Sequence, residues 1–174
     1  MQTRRLRLIG LILIIMIGTF SANFIATAQV VKTPLGEYTW GNFGGSRESQ
    51  GMSREDVIAR EGSCPTGGCI LKLDEVGVRP SRAHKGDTMT LTTVYTILTP
   101  EQQALPVSIT REILFQGKVL GQTKNMDSGR LNGSWTQVVD FTLPADARPG
   151  VYTLRTKVTT GYGAAQKDVS FEVY

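Results

Sequence analysis

From Ile70 to the C-terminus, apolar and polar residues alternate with a period of two, the pattern of strands that bury one face. Seven segments carry it: ILKLDEVGV, DTMTLTTVYTIL, VSITREILF, KVLGQT, WTQVVDFTL, VYTLRTKVT and KDVSFEVY. Met89, Leu91, Tyr95 and Ile97 fall on one face of the second segment, and Val107, Ile109, Ile113 and Phe115 on one face of the third. Trp135, Val139, Phe141 and Leu143 align in the fifth, and Val169, Phe171 and Val173 in the last. Turn signals separate the segments: HKGD, QGK, Asn132-Gly133, PADARPG and GYG. Seven short strands in the 105 residues from Ile70 to Tyr174 predict an all-β, antiparallel two-sheet sandwich.

The alternation is missing upstream. Residues 29–63, with GNFGGSRESQG at their centre, are rich in Gly, Ser and charge and read as a flexible arm. One short helix is expected within it. Ser53 can cap it, Asp56 three residues later completes a loose capping box, and Gly62 ends it. The predicted organisation is a signal peptide (1–28), an arm with a short helix and a cysteine loop (29–69), and the sandwich (70–174).

The first 28 residues carry Arg4, Arg5 and Arg7 and no acid, then the apolar run Leu8 to Gly18 and small residues at Ala26 and Ala28. That order reads as a secretory signal cut between Ala28 and Gln29. If it stays uncut, the 21 residues Leu8 to Ala28 can anchor the chain in a bilayer, which is the only membrane contact the sequence predicts. Cleavage removes three of the 19 basic residues and none of the 15 acids, leaving 16 against 15. A balance so near neutral, without a basic run, gives no attraction to nucleic acid.

Export sets the chemistry of Cys64 and Cys69, the two cysteines of the chain. A zinc site needs two further ligands, and His84 is the single histidine. A redox pair would have two intervening residues where this one has four. A structural disulfide is therefore expected, worth about 2 kcal/mol for so short a loop.

At LPADARPGVYTLRTKV, a strand ends in Leu143-Pro144, a loop leads to Pro149-Gly150, and Tyr152 opens the next strand. This passage resembles the turn between the fifth and sixth strands of immunoglobulin-like domains in bacterial exported proteins, of macroglobulin and adhesion type. The resemblance covers roughly Val76 to Val173 and implies a seven-stranded immunoglobulin-like sandwich. It also implies a tyrosine corner, in which the Tyr152 hydroxyl bonds backbone upstream. It implies no particular activity.

Reaction chemistry is sparse. His84 sits in a polar turn without a nucleophile elbow, and the neighbours Asp74 and Glu75 would point to opposite faces of a strand. Asp127 to Gly133 lacks the acidic spacing of a calcium loop, and Asn132-Gly133-Ser134, formally a glycosylation acceptor, is explained by a turn. No enzymatic activity, metal or cofactor is expected. Tyr38, Trp40 and Phe43 lie in an arm otherwise too polar to bury them. Either they fold back on the domain, adding an edge strand, or they join Tyr162 as binding residues. The expected protein is a periplasmic or cell-surface interaction module that binds a protein partner through sheet edges or the aromatic arm. Two alternatives stand beside it: a module for cell-wall or surface polysaccharide, and a fibre subunit assembling by strand exchange.

Overall fold

The computed structural model describes residues 30–33, 36–39, 41–62 and 70–174, with residues 30–33, 36–39, 42 and 122–128 described in backbone only. The signal segment, Trp40, and the Cys64 and Cys69 loop lie outside the described residues.

All seven segments with period-two alternation are strands: β4 (Ile70–Arg79), β6 (Thr88–Leu98), β7 (Leu105–Phe115), β8 (Lys118–Arg130), β9 (Gly133–Thr142), β10 (Gly150–Thr160) and β11 (Gly163–Val173). Four more are described: β1 (Val30–Thr33), β2 (Gly36–Thr39), β3 (Asn42–Met52) and β5 (Arg82–Ala83). β1 and β2 pair as a hairpin. The others form a four-stranded sheet in the order β3-β9-β6-β4 and a five-stranded sheet in the order β5-β11-β10-β7-β8. The molecule is all-β in two main sheets.

Two expectations are corrected. The strand set exceeds seven, and the pairing is not wholly antiparallel, because β5 runs parallel to β11 with Glu172 opposite Arg82 and Val173 opposite Ala83. A strand of two residues shows no period, so alternation cannot reveal it. β3 is eleven residues long, yet its described side chains are exposed except Phe43, Glu48 and Met52. It nevertheless pairs along β9, from Asn42 opposite Thr142 to Met52 opposite Ser134. Part of the expected arm therefore folds back as an edge strand.

The inward faces are those the alternation predicts. Met89, Leu91, Tyr95, Ile109, Ile113 and Phe141 are fully buried, and Ile97, Val107, Val139, Phe171 and Val173 nearly so. The helix also forms where expected, as α1 (Arg54–Glu61). Ser53 Oγ accepts from Asp56 N at 3.2 Å, while Asp56 Oδ2 accepts from Ser53 N at 3.1 Å, closing the capping box. Among the described residues no helix is long and apolar enough to cross a membrane.

The Tyr152 ring lies 4.6 Å from Phe115 and 5.4 Å from Phe171, centroid to centroid, and its hydroxyl donates to the Arg148 carbonyl at 2.7 Å. The tyrosine-corner bond is thus present. Tyr152→Phe keeps the ring and strands that carbonyl, so we expect a loss of about 1 kcal/mol. In thermal melts this corresponds to a drop of roughly 2–4 °C, with the native fold unchanged.

Candidate binding surfaces and a buried polar layer

The aromatic candidates whose side chains are described, Phe43 and Tyr162, do not converge. Tyr38 is in β2, described in backbone only. Phe43 turns inward, its ring 4.7 Å from that of Phe141, near the start of β6. Tyr162 occupies the β10–β11 turn, 44% exposed, and its hydroxyl bonds Glu101, just past the other end of β6. That bond is the main cause holding the Glu101 carboxyl below its usual range. Phe43 and Tyr162 therefore lie at opposite ends of the sandwich.

His84 is a turn residue. Its ring packs 4.2 Å from that of Tyr174, and its backbone N donates to Asp87 at 2.7 Å. Asn132 is a structural pin rather than a surface acceptor, since it is only 4% exposed. Its amide donates to the carbonyls of Thr99 and Glu101, and its oxygen accepts from Thr99 N at 3.0 Å. Among the described residues no group of three or more His, Cys, Asp or Glu side chains is placed to hold a metal.

The two outer faces differ. α1 lies against β3, β6 and β9, which is why Thr96 and Leu98, on the outward register of β6, are fully buried. Val57 is sealed beneath the helix, and Arg60 reaches Thr96 Oγ1 at 3.0 Å. The five-stranded sheet carries a groove of about 410 Å³ on its outer face, lined by Ser108, Thr110, Glu112, Arg155, Lys157, Thr159 and Gln166. Arg155 grips Asp168 through two bonds, Nε to Oδ1 at 3.1 Å and Nη2 to Oδ2 at 3.0 Å, and lies 3.9 Å from Glu112. The Asp168 bond is the main cause raising the Arg155 pKa. One register step away, Lys157 stands opposite Thr110 on β7 and Gln166 on β11, exposed at the centre of the groove.

Between the sheets the apolar stripe is interrupted at one level. Thr93 on β6, Arg111 on β7, Gln137 on β9 and Thr156 on β10 all occupy inward positions and are fully buried. Thr93 and Glu48 both pair with Gln137 in register, and Arg111 pairs with Thr156, so the five residues form one layer. It separates a larger core built around Phe141, Tyr152 and Phe171 from a smaller one built around Tyr95, Ile109 and Val158. Arg111 Nη2 donates to Thr93 Oγ1 at 2.9 Å and to Gln137 Oε1 at 2.7 Å. Its Nε and Nη1 have no hydrogen-bond partner among the described residues. Desolvation pushes the guanidinium down to about 10, against the opposing pull of Glu48 and Tyr95. Glu48 on β3 accepts from the Tyr95 hydroxyl and from Arg130 Nη2, and Arg130 lies 5.2 Å over the Trp135 ring. The signal in the sequence was a polar residue at a position where the period demands an apolar one, repeated in four strands.

No protein-family model matches the chain, and no curated protein matches it. Solved structures resemble it weakly. The C-terminal domain of wzt is 15% identical over 63% of this chain and 79% of that one, at a TM-score of 0.46. A family 123 glycoside hydrolase from Clostridium perfringens is 14% identical over 75% of this chain and 27% of its own, at 0.42. The alkylpurine DNA glycosylase AlkC of Pseudomonas fluorescens is 13% identical over 59% of this chain and 30% of its own, also at 0.42. The chain thus spans less than a third of the length of either enzyme. Likenesses of this size carry no argument about what the chain binds.

Proposed function

We propose that the chain is an exported, non-enzymatic interaction module of immunoglobulin-like type that docks a protein partner on the outer face of its five-stranded sheet. The observation that carries this reading is the asymmetry of the two outer faces. One is covered by α1 at its Thr96–Leu98 end, whereas the other carries no helix among the described residues and presents a groove with Lys157 at its centre and hydroxyl, amide and ion-paired side chains around it. The edge strand β8 borders that face, with Val119 42% exposed, so a partner seated in the groove can extend toward β8. The immunoglobulin-like assignment is supported by the placing of β4, β6 and β9 in one sheet and β7, β10 and β11 in the other, and by the Tyr152 bond.

The test is site-specific photo-crosslinking in the native host, with benzoylphenylalanine at Thr110 or Gln166 and, as control, at Thr92 on the outer face of the other sheet. A discrete protein adduct from the first two positions and none from Thr92 is expected. Adding Lys157→Glu should weaken that adduct several-fold, the size of effect expected from reversing one exposed charge. Equal labelling at all three positions, or none, would overturn the reading. A heterogeneous polysaccharide adduct would replace the protein partner with a glycan.

A second reading, assembly of copies by strand exchange, is favoured by the composition of β3. It is an edge strand held to the sandwich by few apolar side chains.

A further inference from the structure

The groove on the five-stranded sheet is organised in rows that cross the strands. Lys157 stands between Thr110 and Gln166 in one row, and Arg155 stands between Glu112 and Asp168 in the next. Thr159 opposite Ser108 makes the row on the other side of Lys157. Neighbouring rows are two residues apart along β10, about 6.8 Å at the rise of an antiparallel strand.

The two charged rows differ in how far the chain meets its own charges. Arg155 is engaged by two acids: it bonds Asp168 through Nε and Nη2 and lies 3.9 Å from Glu112. Two carboxylates share one guanidinium, so acid outweighs base in that row. Lys157 is exposed and bears no ion pair among the described residues. The register of β8 adds no acid, since it sets Gln122 opposite Glu112, Lys124 opposite Thr110 and Met126 opposite Ser108. The cation left over is therefore an ammonium with a hydroxyl on one side and an amide on the other. Such a group matches a single carboxylate, whereas a phosphate or sulfate would call for the bidentate guanidinium that Asp168 already holds.

We propose that the partner protein lays an extended segment along β10 and seats one Asp or Glu on Lys157, a recognition element that rests on the docking reading and adds the chemistry of what is docked. An extended segment fits because its alternate residues repeat at the spacing of the rows, whereas same-face neighbours on a helix stand three or four residues and about 5–6 Å apart. Selection works in both directions. Lys157 attracts the carboxylate above it, while Glu112 and Asp168 repel a second acid two residues away over the Arg155 row. The groove thus prefers an isolated acid to an acidic run.

The experiment uses the full chain in its native host. Benzoylphenylalanine is placed at Thr159, which lines the groove and leaves the Lys157 row intact, and the partner peptide in the adduct is sequenced by mass spectrometry. Lys157→Glu should lower the adduct yield about fivefold. Changing one acid of the mapped segment to Lys should restore the yield in the Lys157→Glu background and lower it against wild-type Lys157. Adding an Asp two residues from that acid, on the Arg155 side, should lower the yield about threefold, and Glu112→Gln should recover part of that loss. A protein adduct that no acid-to-Lys change in the mapped segment restores would overturn selection by a carboxylate while leaving the docking groove standing. A polysaccharide adduct, or no protein adduct from Thr159, Thr110 or Gln166, would overturn both.

Discussion

Glu48→Ala should lower stability by about 3–5 kcal/mol, far more than an exposed-edge substitution normally does. The reason is desolvation. Arg111 is fully buried, Arg130 is mostly buried, and the Glu48 side chain between the sheets is itself only 10% exposed. Deleting the carboxylate removes the charge whose attraction opposes the desolvation of Arg111, and a buried charge left without that attraction costs more than the pair contributed. At about 2–4 °C per kcal/mol for a protein of this size, the melting temperature should fall by roughly 10 °C or more. The companion experiment has the opposite sign. Replacing Arg111 by Met and Gln137 by Leu keeps the Glu48–Arg130 pair and gives the layer an apolar filling, so stability should stay level or rise. A loss below about 1 kcal/mol for Glu48→Ala in chemical denaturation would show that water reaches the layer and screens it.

That layer also shows where reading the sequence stops. Period-two alternation identified the long strands because all but β8 carry three or more apolar residues on one face, as Val107, Ile109, Ile113 and Phe115 do. The same method passes over Arg111 in the middle of that series, since scoring apolar positions treats a polar one as a gap. Four such gaps, at Thr93, Arg111, Gln137 and Thr156, become a feature only once register aligns them, and register between distant strands is a tertiary property. β3 was legible only through its three aromatic neighbours, because a strand that buries almost nothing writes almost no pattern. α1 was legible to the residue, since Ser53, Asp56 and Gly62 act locally. The Tyr152 bond spans four residues and was legible for the same reason. The groove was not, because Thr110, Lys157 and Gln166 come from three strands and are individually ordinary surface residues.

The start of β3 offers the second large effect and a way to separate its causes. Phe141 is fully buried, packs on Phe43, and lies so close to Gly41 that a Cβ there would stand 2.0 Å from its Cε2. Phe141→Ala should cost about 3–5 kcal/mol, the usual range for truncating a buried aromatic. Gly41→Ala should be costly too, for two reasons that add: Gly41 has φ +64, where an L side chain loses about 1–2 kcal/mol, and the new methyl collides with the ring. Only the collision depends on Phe141. In the double variant the methyl enters space the ring has vacated, so the combined loss should be smaller than the two single losses summed, by 1 kcal/mol or more. Strict additivity in a denaturation cycle would mean that the backbone at Gly41 moves away from the ring at no cost, in which case the entry into β3 is set by the turn rather than by packing on Phe141.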